Sequence, residues 1–129
     1  MNKIIIEVSI GELLDKISIL EIKKGKIKDS DKIKYITDEH SILKDQLDKN
    51  VKSDEKLNNL FESLKKINAK LWVIEDNKRQ CEKDKDFGEK FIKLSRDVHF
   101  LNDDRAKIKL EINNHTGSVI KEIKEYTSY

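Results

Sequence analysis

Apolar residues recur along this chain at spacings of three and four, the signature of helices with one face turned inward. Ile10, Leu13, Leu14, Ile17, Leu20 and Ile27 form a first stripe, which Ile19 and Ile22 widen. A stripe that broad predicts contact on more than one side. Ser9, with Glu12 three residues on, is a capping box at its start. Asp29 and Ser30 offer the next cap, followed by Ile33, Ile36, His40, Leu43 and Leu47. After a break at Asn50 to Ser53, Ser53 is the expected cap of a longer seam: Leu57, Leu60, Leu64, Ile67, Leu71, Ile74, Lys78 and Cys81. Asp86 and Glu89 repeat the capping-box spacing. Then Phe87, Phe91, Leu94, Val98, Leu101, Arg105, Ile108 and Ile112 alternate by four and three, until Asn114 and Gly117 give a stop.

This pattern predicts an all-α chain, one domain over residues 1–129. It is an antiparallel helical bundle, or pair of helical hairpins, of four helices with coiled-coil-like seams. Two helices are short (9–27, 30–49) and two long (54–84, 87–115). The Ile-rich residues 1–8 read as an extended lead-in or edge strand. The tail 118–129 reads as a short helix or as a partner of the N-terminal segment. If the second helix folds back on the third, it covers only that helix's N-terminal half. The far ends of the long helices then project as a hairpin with Phe87, Phe91, Leu94 and Val98 in its seam. A second subunit related by two-fold symmetry is the simplest cover, so a homodimer is expected. The alternatives are a self-sufficient hairpin seam or cover by the tail.

Composition narrows the function classes. Charged residues make up 40% of the chain, yet the net charge is only +2 and the two signs are interspersed. That argues against nucleic-acid binding, which usually shows a clustered basic face. No apolar run approaches the roughly 18 residues of a membrane span. The N-terminus lacks the order of a signal peptide, so a cytoplasmic protein is expected. The single cysteine, Cys81, can form no disulfide within the chain and belongs to no cysteine cluster.

Candidate chemistry is sparse. Of 27 basic residues only three, Arg79, Arg96 and Arg105, are arginine. Guanidinium grips carboxylate or phosphate through a planar fork that Lys cannot copy. Arg105 sits in an apolar seam and must be paired. Antiparallel register sets it level with Lys66 to Asn68, and sets Arg96 level with Glu75. A pair between Arg96 and Glu75 or Asp76 is therefore expected. Trp72, Glu75 and Arg79 share one face of the third helix, and Asn102 and Asp103 flank that level on the fourth. Such a cluster is either a salt-bridge network or a ligand pocket. Asp15, Lys16, Glu21 and Lys23 read as a solvated rim. Glu12 and Asp15 could share a metal ion, as acids do on helical nucleotide pyrophosphatases, but no second paired-acid helix faces them. His40 reads as a satisfied core residue, and His40, His99 and His115 have no ligand spacing. No catalytic residue, metal or cofactor is expected.

Several stretches carry a resemblance. They are Ser9 to Lys23, Leu71-Trp72 with Ile74-Glu75-Asp76, Phe91-Ile92 with Leu94, Arg96 and Val98, and Asn102-Asp103, Arg105-Ala106, Ile108-Lys109 and Glu111-Ile112-Asn113. Together they resemble an uncharacterised family of small helical proteins of bacteria and phages, a domain of unknown function often found beside genes for surface-polysaccharide assembly. The resemblance implies that Trp72, Glu75, Asp76, Arg96, Asn102, Asp103 and Arg105 belong to a shared pattern. The chain departs from it at Glu7, Ser95 and His99.

Two functions follow as expectations. The first is a non-enzymatic helical interaction or assembly module, a homodimer or a binder of a protein partner. The second is a site for binding or turnover of an anionic small molecule, such as a sugar phosphate or nucleotide-sugar, between the third and fourth helices, with Glu75, Asp76 or Asp103 orienting it or transferring protons. Trp72, Glu75, Asp76, Arg79, Arg96, Asn102, Asp103 and Arg105 are its candidate residues.

Overall fold

A computed structural model describes residues 2–129, so Met1 of the expected lead-in lies outside the described residues. The chain is all-α, with helices α1 (Ile10–Lys26), α2 (Ser30–Asn50), α3 (Glu55–Asp84) and α4 (Glu89–Thr116). No strand occurs among the described residues. Residues 2–8 form a lead-in with no regular element, exposed up to Glu7, and the tail beyond Gly117 is irregular and lies back toward α4.

Local chemistry sets the ends. Ser9 caps α1, its Oγ accepting from the Glu12 N–H at 3.0 Å. Asp29 caps α2 in the same way, accepting from Asp31 and Lys32. At α3 the cap is Asp54 rather than the expected Ser53: Asp54 accepts from the Leu57 N–H at 2.7 Å, while the Ser53 hydroxyl donates to Asn58. The capping box expected at Asp86 and Glu89 does not form. Asp86 instead accepts from the Gly88 N–H at 3.1 Å in the turn, which delays the start of α4 to Glu89. Gly117, at φ 67°, closes α4 in the left-handed conformation that glycine adopts without penalty.

The arrangement departs from expectation in one respect. α2 does not fold back on α3. α1 is the hub, packed against all three other helices, and α3 and α4 form a closely packed antiparallel hairpin. The sequence features behind this are the widths of the stripes. α1 buries residues around most of its circumference: Leu14, Asp15, Ile17, Ser18, Leu20 and Ile22. α2 has one narrow line of apolar residues, enough for one neighbour. Leu47 and Val51, at its end, reach the core cluster of Leu14, Leu57, Leu64 and Ile112 at the base of the bundle.

α1 runs parallel to α3 and antiparallel to α4. Leu14 packs in one cluster with Leu64 and Ile112, and Ile22 lines a groove with Leu71 and Arg79. Its 17 residues span about 25 Å, against about 45 Å for the 30 residues of α3. The far third of the hairpin therefore extends beyond α1. Phe87 packs edge-on against Phe91 there, with ring centroids 5.7 Å apart, and the Lys78 ammonium lies 5.9 Å from the Phe91 ring. Among the described residues, no helix is long and apolar enough to cross a membrane.

Candidate functional site

The most unusual chemistry lies where α1 meets the hairpin. Asp15 is only 2% exposed. Its carboxylate accepts from Arg105 Nε at 2.9 Å and Nη2 at 2.5 Å, a bidentate pair, and from Asn68 Nδ2 at 2.8 Å. The second Asn68 amide hydrogen goes to Ser18 Oγ, and the Ser18 hydroxyl donates to the Asp15 carbonyl. Arg105 Nη1 donates to Asn102 Oδ1 at 3.3 Å. One carboxylate thus ties α1 to both arms of the hairpin. No buried side-chain nitrogen or oxygen lacks a partner among the described residues.

One turn toward the base, buried Lys109 donates to Glu12 at 2.7 Å and to Glu122 of the tail at 2.8 Å. The first N–H groups of α1 are all taken: Ile10 by Ser118 Oγ, Gly11 by Asn113 Oδ1, Glu12 by Ser9 and Leu13 by the Ser9 carbonyl. On the other side of α1, Glu21 bridges His40 of α2 at 3.1 Å and Lys65 of α3 at 3.0 Å.

These contacts correct the expectation of a solvated rim. Lys16 is exposed, but Asp15 and Glu21 are the polar joints between helices. Glu12 and Asp15 do not face a common space for a metal, because each is held by a different cation. No group of three or more candidate metal ligands occurs among the described residues.

Burial pushes the Asp15 carboxyl up. The hydrogen bonds from Arg105 and Asn68 and the charges of Arg105 and Lys109 outweigh it, so the group stays below the ordinary carboxylate range. Burial also opposes the ionised form of Glu21, and Lys65 and His40 overcome it. Lowered folded-state pKa values add stability that is present above the unfolded value, about 4. That stability is lost as pH falls through the lowered values. Urea midpoints should therefore fall steadily as pH drops below about 4, and Asp15→Asn should show a shallower acid slope. Lys109 has the opposite sign. Burial pushes its ammonium down, but Glu12 and Glu122 hold it above the usual lysine range. Its contribution is present below about pH 10 and lost as pH rises through the raised value.

Next to the network lies a groove of about 320 Å³ between α1 and the hairpin. Of the residues singled out in the sequence, Trp72, Glu75, Asp76, Arg79 and Arg105 line it together. Asn102 reaches it only through Arg105. Arg96 and Asp103 are not in its lining. The expected pair between Arg96 and Glu75 or Asp76 is absent: Arg96 forms no ion pair within 4.0 Å among the described residues. Its guanidinium lies 5.8 Å from the ring of Phe100, its own i+4 neighbour, so it follows α4 instead of crossing to α3. Asp103 accepts from the Tyr129 hydroxyl of the tail. The residues missed in the sequence are Asp15, Ser18, Asn68, Lys109, Gly11 and Asn113. The available signal for Asp15 and Ser18 was two polar residues, one turn apart, among Leu14, Ile17 and Leu20.

Fold and network together define an all-α protein whose central helix is fixed to a helical hairpin by buried charge. The chain belongs to DUF6165, a family of unknown function, whose model matches residues 4–129. No curated protein and no solved structure matched the chain.

Proposed function

We propose that the chain is a non-catalytic helical interaction module that pairs with a second copy through the outer face of the α3–α4 hairpin. The observation behind this reading is the apolar surface on that face. Val73 is 46% exposed and Phe100 39%. A shallow depression of about 630 Å³ runs between Ala69, Val73 and Ile74 on α3 and Phe100 and Leu101 on α4, with Lys70 and Asp97 as its charged lining. α1 packs on the other side of the hairpin; on this side Tyr129 of the tail lies against Phe100, with ring centroids 5.4 Å apart, and Val73 is left for an identical face to meet across a two-fold axis. The non-catalytic part of the reading rests on the network itself. Asp15, Arg105, Glu12 and Lys109 are each engaged by one another or by Asn68 and Glu122.

The reading places the protein in the cytoplasm, where a lone buried thiol such as Cys81 stays reduced. The resemblance to proteins of bacteria and phages beside surface-polysaccharide genes makes such an assembly the setting to test first. Light scattering after size exclusion should give twice the monomer mass of 15.1 kDa. Val73→Asp with Phe100→Asp should give a monomer of unchanged helicity, since both side chains are already partly in solvent. A wild-type monomer at roughly 100 µM, well above a micromolar Kd, would contradict the reading.

A further inference from the structure

The groove beside the buried network also gathers three charged side chains, Glu75, Asp76 and Arg79, that form no ion pair holding the helices together among the described residues. Its apolar wall includes Ile22 and Leu71, and the Trp72 indole lines the same opening. Glu75, Asp76 and Arg79 line it too. Glu75 and Asp76 precede Arg79 by four and three residues, spacings at which helical ion pairs form. None forms here within 4.0 Å among the described residues. Arg105 lines the groove as well, its guanidinium fixed by Asp15 and Asn102.

Carboxylates only accept hydrogen bonds and a guanidinium only donates them. A molecule that engages both in place of water brings several donors and one acid group. An indole beside them favours a ring that can lie against its face. The groove, at about 320 Å³, matches the small end of ligand sites.

We infer that this groove binds a small cyclic polyol bearing a phosphate or carboxylate. Its hydroxyls donate to Glu75 and Asp76, its acid group pairs with Arg79, and its ring lies on Trp72. The inference does not depend on pairing of two copies, because the groove and the outer hairpin face have no lining residue in common.

Trp72 is the chain's only tryptophan, so intrinsic fluorescence reads this groove directly. Glucose 6-phosphate and glucuronate are titrated as the two acid-bearing probes, with glucose and inorganic phosphate alone as comparisons. At least one acid-bearing probe should give a saturable change with a Kd below about 1 mM. Arg79→Gln should weaken it by about tenfold, and Glu75→Ala with Asp76→Ala should weaken it comparably. All three positions are exposed, so circular dichroism of the variants should match the parent. Silence of Trp72 toward both acid-bearing probes would overturn the inference. So would inorganic phosphate binding as tightly as glucose 6-phosphate, or affinities that the Arg79 variant leaves unchanged.

Discussion

Asp15→Ala is expected to destabilise the chain by about 3–5 kcal/mol, the cost of removing one partner from a buried ion pair. A domain of this size is held together by only about 5–15 kcal/mol, so the variant loses a large part of its margin. Truncation strands three donors at once: Arg105 Nε and Nη2, and one Asn68 amide hydrogen. Arg105 can recover some hydration, since its side chain is 28% exposed, but Asn68 is buried. The loss falls on the joint between α1 and the hairpin, so α1 and its attached α2 should loosen first. Urea unfolding followed by circular dichroism measures the total. Hydrogen exchange should show protection lost in α1 and α2 before α3 and α4.

A second large effect is expected from a single methyl group. A Cβ at Gly11 would lie 2.6 Å from the Lys109 carbonyl oxygen and 3.0 Å from Asn113 Oδ1. The carbonyl is helix backbone and cannot swing aside, so α1 must back away from α4. That movement strains the bond from the Gly11 N–H to Asn113, 2.7 Å in the parent, and disturbs Asp15 one turn further along. Gly11→Ala should therefore cost about 2–3 kcal/mol from overpacking and the weakened hydrogen bond. Gly25→Ala is the matched control on the same helix. A Cβ there meets nothing within 4 Å, and the change should stabilise by about 0.5–1 kcal/mol through helix propensity. Opposite signs for one substitution at two positions of α1 separate close approach from propensity. Thermal or urea midpoints of the two variants decide it.

The seams were legible in the sequence because each long helix buries one face, and a 3.6-residue period leaves that face in plain view. The α3 seam residues Leu57, Leu64, Leu71 and Cys81 are all buried. Arg105 stood out for the same reason, as a charge where an apolar residue belonged. The antiparallel register that set it level with Asn68 holds, since both side chains meet at Asp15. The position of α2 was not legible. It depends on how the faces of α1 are shared among three neighbours, which no local pattern records. Asp15 was hidden by the same fact: on a helix buried nearly all round, an acid pointing inward looks like one on a rim. In the groove, Trp72, Glu75, Asp76 and Arg79 could be grouped by spacing on α3 alone. The wall that α1 supplies through Ile19 and Ile22 could not. Arg96 was misplaced because level register says nothing about which way around a helix a side chain turns.

The joint itself is tested most directly by a double-mutant cycle on Asp15→Leu and Arg105→Met, read as unfolding free energies in urea. Each single variant leaves the other partner stranded, whereas the pair together replaces the bridge with apolar packing. The expected result is two strongly destabilised singles and a double variant that regains at least about 2 kcal/mol over their sum. Additivity within about 0.5 kcal/mol would mean that Asp15 and Arg105 act separately, and that something other than their contact holds α1 to the hairpin.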